Sequence, residues 1–200
     1  MKRVLGTLIA AVFTFGLLAS ANAQETITKS MEPERNMHLG LRIMMLPVGS
    51  VKNDAGSIDL GFAFGLSPYF DYNIVKYFAV GFGPEFYLNI KTKDSIPGVE
   101  NEASKAINFN LRLKGMYPLM NDALNVYVVL TPGYSIVLPP GDGTKPKGLD
   151  LAFAGGASYN FTPMLGAFVE AGYSLGFHKM DEAKANMNFL QFNLGAQASF

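Results

Sequence analysis

Cysteine is absent from the chain, which excludes a disulfide frame and a lipid-anchor cysteine beside a signal cleavage site. Histidine occurs only as His38 and His178, and no His/Cys cluster at metal-ligand spacing or phosphate-binding loop is present. Charge is sparse and balanced, with 16 basic and 16 acidic residues in 200, so nothing in it marks a nucleic-acid partner. Beyond residue 23 no apolar run approaches the ~20 residues that a spanning helix needs. Yet 49% of the residues are hydrophobic and 21 are glycine. So apolar a chain, lacking helical spacing, must hide its apolar surface in some other way.

The N-terminus carries its own pattern. Lys2 and Arg3 precede a mostly apolar stretch over residues 4–18, and Ala21-Asn22-Ala23 supplies an A-x-A site before Gln24. This is the layout of a cleavable secretory signal over residues 1–23. Its removal leaves fourteen basic against sixteen acidic residues, a mature charge of −2. Residues 24–35 are polar and read as a flexible periplasmic lead-in.

From Met37 onward the period is two. Leu39, Leu41 and Ile43 alternate with Gly40 and Arg42; Ile58, Leu60, Phe62, Phe64 and Leu66 alternate with Asp59, Gly61, Ala63 and Gly65. Six further segments follow, from Phe78 to Ile90, Ile107 to Tyr117, Val126 to Leu138, Leu149 to Phe161, Leu165 to Phe177 and Leu190 to Phe200. The apolar faces carry no charge, whereas the other faces carry Arg42, Asp59, Glu85, Lys91, Arg112, Lys114, Asp150 and Glu170. Lipid cannot solvate charge, so a spanning barrel alternates apolar-out and polar-in, and closure removes strand edges that hydrocarbon would penalise. The pattern therefore predicts an all-β, eight-stranded antiparallel up-and-down transmembrane β-barrel over residues 36–200. A soluble barrel with the apolar face inward would overfill its lumen.

Connections alternate in kind. Residues 71–77, 118–124 and 162–164 read as short periplasmic turns, and residues 47–57, 92–106, 139–148 and 178–187 as longer, more polar outer loops. Phe70, Phe78, Tyr117, Phe161 and Phe200 fall at the periplasmic strand ends, where an aromatic belt belongs. Pro84 and Pro132 lie inside strands, and bulges or kinks are expected there.

With these segments laid out, the chain resembles small bacterial outer-membrane barrels, the outer membrane protein beta-barrel families and the OmpA-type transmembrane domain. The resemblance runs from Met37 to Phe200, and its most specific feature is the alternating end Leu190-x-Phe192-x-Leu194-x-Ala196-x-Ala198-x-Phe200. It implies a bacterial outer-membrane location, contact with outer-membrane lipid and lipopolysaccharide, and a monomer. It also implies that terminal Phe200 resembles the signal read by the barrel assembly machinery. A peptidoglycan-binding domain after Phe200, as in full-length OmpA proteins, is not expected.

The lumen charges form one candidate site: Arg42, Glu85, Arg112, Lys114 and Glu170. Strands three and four are neighbours, so Glu85 and Arg112 are expected to pair, because unpaired buried charge is strongly unfavourable. Eight strands leave a lumen that side chains can fill, which favours a structural plug over a gate or selectivity ring. Lipid A deacylases and palmitoyl transferases on this fold resemble hydrolases with a His and a Ser. Here His38 falls at the periplasmic end and His178 reads as a solvated loop residue without a positioned hydroxyl and acid. No catalytic residue, metal or cofactor is expected. The leading expectation is a non-enzymatic structural or surface-interaction barrel with a closed or narrow lumen. A small passive channel is the alternative and a lipid A-modifying enzyme the third reading. The precursor is predicted to be cut after Ala23; N-terminal sequencing of membrane-extracted protein checks this, and a mature chain retaining residues 4–18 contradicts it.

Overall fold

The computed structural model describes residues 35–53, 56–93, 102–120, 123–141, 144–180 and 183–200. The signal over residues 1–23, and the lead-in up to residue 34, lie outside the described residues. Alternation of apolar and polar side chains builds nine strands among the described residues: β1 (Met37–Asn53), β2 (Gly56–Leu60), β3 (Ala63–Val75), β4 (Phe78–Ile90), β5 (Ser104–Leu119), β6 (Leu124–Leu138), β7 (Lys147–Asn160), β8 (Leu165–Met180) and β9 (Ala183–Ser199). Each strand from β3 to β8 pairs antiparallel with the next, β1 pairs with β3, and β1 pairs with β9 to close the barrel. At the seam, Phe200 N donates to Met37 O (2.9 Å) and Met37 N to Phe200 O (3.3 Å).

The eight-stranded expectation holds, with β2 as an additional short strand. β2 and β3 pair with successive stretches of β1, residues 49–53 and 37–46. They form one stave interrupted at Gly61-Phe62. No helix among the described residues is long and apolar enough to cross a membrane; the strands do so instead.

Side chains take the predicted faces through most of the wall. Leu41, Phe86, Leu111, Val128, Phe153 and Leu194 point outward, and Arg42, Ser67, Asn110, Ser158 and Asn193 are buried in the lumen. The phase breaks near the extracellular rim. Leu60 and Ile90 are buried inside, whereas Asp59 and Lys91, expected in the lumen, are exposed. The reasons are local: Asp59 and Leu60 lie beyond the break at Gly61-Phe62 between β2 and β3, and on β4 the register with β5 shifts between Tyr87 and Ile90, where Asn89 has φ 59°. A bulge there swaps the face of every residue beyond it.

The two internal prolines cause no bulge. Leu66 lies opposite Phe86 and Phe70 opposite Phe82, so the unbroken count sets Pro68 against Pro84. Two residues without a donor face each other, and the register runs past them. Pro132 likewise sits in register with Leu151. The shifts fall elsewhere, at Met45/Val48, Asn73/Val75 and Tyr87/Ile90.

Several expected loops are strand. β1 runs through residues 47–53, and β8 and β9 extend to Met180 and from Ala183, so residues 178–180 and 183–187 of the expected loop over 178–187 are strand. β3 likewise continues through Val75, leaving Lys76-Tyr77 as the turn. Phe70 is thus five residues inside the rim, where exposed Tyr72 and Tyr77 join the belt.

Leu111, near the middle of β5, is 49% exposed toward lipid. Leu111→Arg is expected to destabilise the barrel by about 2–4 kcal/mol, and Leu119→Arg, at the end of β5, by about 0–1 kcal/mol. Reversible unfolding from lipid vesicles reads both, and equal losses would contradict this placement of the membrane.

Candidate functional site: a layered lumen

The lumen charges sit on residues whose cross-strand neighbours are small. Arg42 lies opposite Ser67, and the register of β3 with β4 sets Ser67 against Glu85. Asp71 lies opposite Gly81, and Gly81 opposite Arg112. Each acid and base therefore meet across a stave that carries almost no side chain. Gly81 is required for this, since a Cβ there would overlap Asp71 Oδ1.

The contacts follow from these rows. Arg42 donates to Glu85 through Nη2, to Ser67 Oγ (3.2 Å) and, through Nη1, to Glu170 Oε2 (3.3 Å). Arg112 Nε donates to Asp71 Oδ1 (2.9 Å), its Nη2 lies 3.9 Å from Glu170 Oε1, and its guanidinium stacks 4.3 Å from the Tyr69 ring centre. Glu170 also accepts from Tyr127 (3.1 Å) and Asn193 (3.0 Å), and Glu85 from Tyr87. Lys114 Nζ lies 4.1 Å over the Tyr127 ring, a cation–π contact. Glu85 and Arg112 are each 1% exposed. Three cations and three carboxylates thus fill one buried level, contributed by β1, β3, β4, β5 and β8.

Arg42, Glu85, Arg112, Lys114 and Glu170 all occur in this level, but the expected Glu85–Arg112 pair does not form. Glu85 lies opposite Asn108 and Arg112 opposite Gly81, an offset of four residues, or roughly 13 Å along the strand. Their partners are Arg42 and Asp71. Sequence reading placed Asp71 in a turn; its signal was the continued phase Ser67, Tyr69, Asp71.

Two further layers flank the charges. Toward the extracellular side Met44, Leu46, Leu60, Ala63, Ile90, Ala106, Val137 and Phe189 form an apolar cluster. Toward the periplasm His38 Nδ1 meets Ser199 Oγ (2.8 Å), and Asn73 Nδ2 lies 2.9 Å from His38 Nε2. His38 and Ser199 face each other across the β1–β9 seam, so this cluster ties first strand to last. His178, expected in a loop, is instead near the end of β8 and buried on the lumen face. Phe200 points outward at the seam.

A closed antiparallel barrel with an apolar exterior and neutralised charges inside defines a small outer-membrane protein. The family model "Outer membrane protein beta-barrel domain" matches residues 9–200, and the chain belongs to that family, whose members lie in the bacterial outer membrane. The fold is similar to Neisserial surface protein A (TM-score 0.54, 15% identity, covering 82% of this chain and 97% of that one). It is also similar to outer membrane protein OprG of Pseudomonas aeruginosa (TM-score 0.52, 15% identity, 82% and 94% covered). No curated protein sequence matches the chain significantly.

Coupling should follow the observed pairs. Arg42→Gln or Glu85→Gln alone is expected to cost about 3–5 kcal/mol, the range for breaking a buried pair. The double variant should recover part of the loss. A double-mutant cycle by urea unfolding in vesicles should give a larger coupling for Arg42 with Glu85 than for Arg112 with Glu85.

Proposed function

We propose that this protein is a closed, non-enzymatic outer-membrane barrel with a structural or surface-interaction role. The observation that carries this reading is the stacking of a buried apolar layer on a buried ionic one in the lumen. An ion crossing it would have to displace Arg42 and Arg112 from carboxylates in a site with little water, where charge separation is most costly. Extracellular hairpins, among them β1–β2 and β8–β9, project from this sealed base and are its route to partners outside the cell. Against a lipid A-modifying role stands the orientation of Ser174 and His178, which face the lumen rather than the outer leaflet.

Residues 1–23 direct export in this reading, and the terminal strand ending on Phe200 engages the assembly machinery. The outward apolar band contacts lipid and lipopolysaccharide, and the barrel works as a monomer because closure leaves its membrane wall without a free edge. The channel alternative is separated by electrical recording. Folded barrel in planar bilayers is expected to give no steady single-channel conductance, and a stable open level from protein shown to be folded would replace this reading with the channel.

A further inference from the structure

Charges in the lumen are paired, but on the outer side of the extracellular rim like charges are set together. Lys147 on β7 lies directly opposite Lys179 on β8, and Lys179 directly opposite Lys184 on β9. All three are exposed. Counting in twos from Leu149, Phe177 and Leu190, which face lipid, puts all three on the outside of the wall. Lys52 on β1 is also exposed and lies opposite Asn186, which places it diagonal to Lys184. Four neighbouring strands thus carry a lysine within two residues of one row. Among the described residues no acidic side chain pairs with any of the four.

Like charges directly opposite on a sheet face repel and weaken the pairing, and an anion laid across the row reverses that. The surroundings say which anion. Outward positions on β7 and β8 are apolar or small up to Leu149 and Phe177, and the lysines follow roughly 7 Å further along each strand. That is headgroup level. On β9 the apolar face stops earlier, at Leu190, and Asn188 and Asn186 take the next outward positions, with Ser50 of β1 opposite Asn188. Amides and a hydroxyl therefore lie between the cations and the apolar wall. We propose that this stripe is a docking surface for one lipid A headgroup of outer-leaflet lipopolysaccharide. The lysines take its phosphates through charge-assisted hydrogen bonds, Asn186, Asn188 and Ser50 meet its sugar hydroxyls, and Leu149, Phe177 and Leu190 meet its acyl chains. A phosphatidylglycerol has one phosphate and no sugar ring, and free phosphate has no chains for the apolar wall. The docking surface rests on the lipopolysaccharide contact proposed above and supplies its polar part.

The test uses the full mature chain folded in zwitterionic detergent, with native mass spectrometry counting bound lipid. One lipid A carrying both phosphates is expected per barrel, with dephosphorylated lipid A, phosphatidylglycerol and inorganic phosphate held at least tenfold more weakly. Changing Lys147→Gln, Lys179→Gln and Lys184→Gln together should weaken lipid A binding at least tenfold. The same change at Lys91, Lys93 and Lys105, exposed around β4 and β5, alters net charge equally and should leave binding unchanged. Urea unfolding in phosphatidylcholine vesicles checks the fold: the row variant should be no less stable than the parent, and added lipid A should stabilise the parent but not that variant. Equal binding with and without phosphates would sink the docking surface and leave the apolar lipid contact in place. Equal binding by parent and row variant would also overturn it, and would mean that Asp181 and Glu182, between these lysines in the sequence, neutralise the row instead. An equal loss at Lys91, Lys93 and Lys105 would reduce it to an effect of net charge. A barrel that binds no lipid A and still passes no current would end this proposal while the closed-lumen reading stands.

Discussion

Charge in an eight-stranded lumen has no room for a hydration shell, and that constraint shapes the interior of this barrel. An eight-stranded wall encloses a space that side chains can fill, so a guanidinium on one strand must be neutralised by a carboxylate on another. Adjacent strands supply polar and cation–π contacts, Asn193 with Glu170 and Lys114 with Tyr127, and the ion pairs reach further. The solution here is to skip a stave: Arg42 reaches Glu85 past Ser67, and Arg112 reaches Asp71 past Gly81. Glu170 then joins the two pairs by contacting both guanidinium groups.

This arrangement explains why some lumen positions are small. Gly81 is small because Asp71 crosses it, and Gly133 because Asn110 does; in each case a Cβ would overlap the crossing side chain. The composition is therefore a consequence of the electrostatics rather than a sign of a loose or flexible wall. It also links fold to function. A level neutralised from five strands cannot open on one side without uncovering charge on another, and the proposed closed lumen rests on the same contacts that hold the staves in place.

Much of the wall could be read from the chain because lipid and lumen impose opposite demands on alternate residues. Arg42, Glu85, Arg112 and Glu170 fall on the lumen face because each adjoins in sequence an outward residue, Leu41, Phe86, Leu111 and Val169. Which acid meets which base could not be read that way, since period two is silent about register between strands. Asp71 was hidden because Asp-Tyr-Asn is also turn chemistry. His178, Leu60 and Ile90 were hidden for a different reason. Near the outer rim the lipid that marks one face ends, so the contrast that marks a strand fades, and the breaks at Gly61-Phe62 and Tyr87/Ile90 invert the count for Leu60 and Ile90. Pro84 misled in the opposite direction: it faces Pro68, so the two missing donors fall on one rung and the register on either side is unbroken.

Buried ion pairs are often no more stabilising than apolar side chains of similar size, so stability alone is a weak account of the ionic level. Its stronger effect is on the alternatives. A slip of one residue in β5 would turn Arg112 and Lys114 to the lipid and draw Leu111 and Leu113 inward. Each cation at mid-depth would then cost about 2–4 kcal/mol, while Asp71 and Glu170 would lose their partner in the lumen. A two-residue slip keeps every face but sets Arg112 opposite Ala79 or Gly83 instead of Gly81, out of line with Asp71. The charges thus penalise wrong registers far more than they reward the right one. In a wall whose outer face is uniformly apolar, and so nearly indifferent to sliding, the lumen is where the register has to be decided.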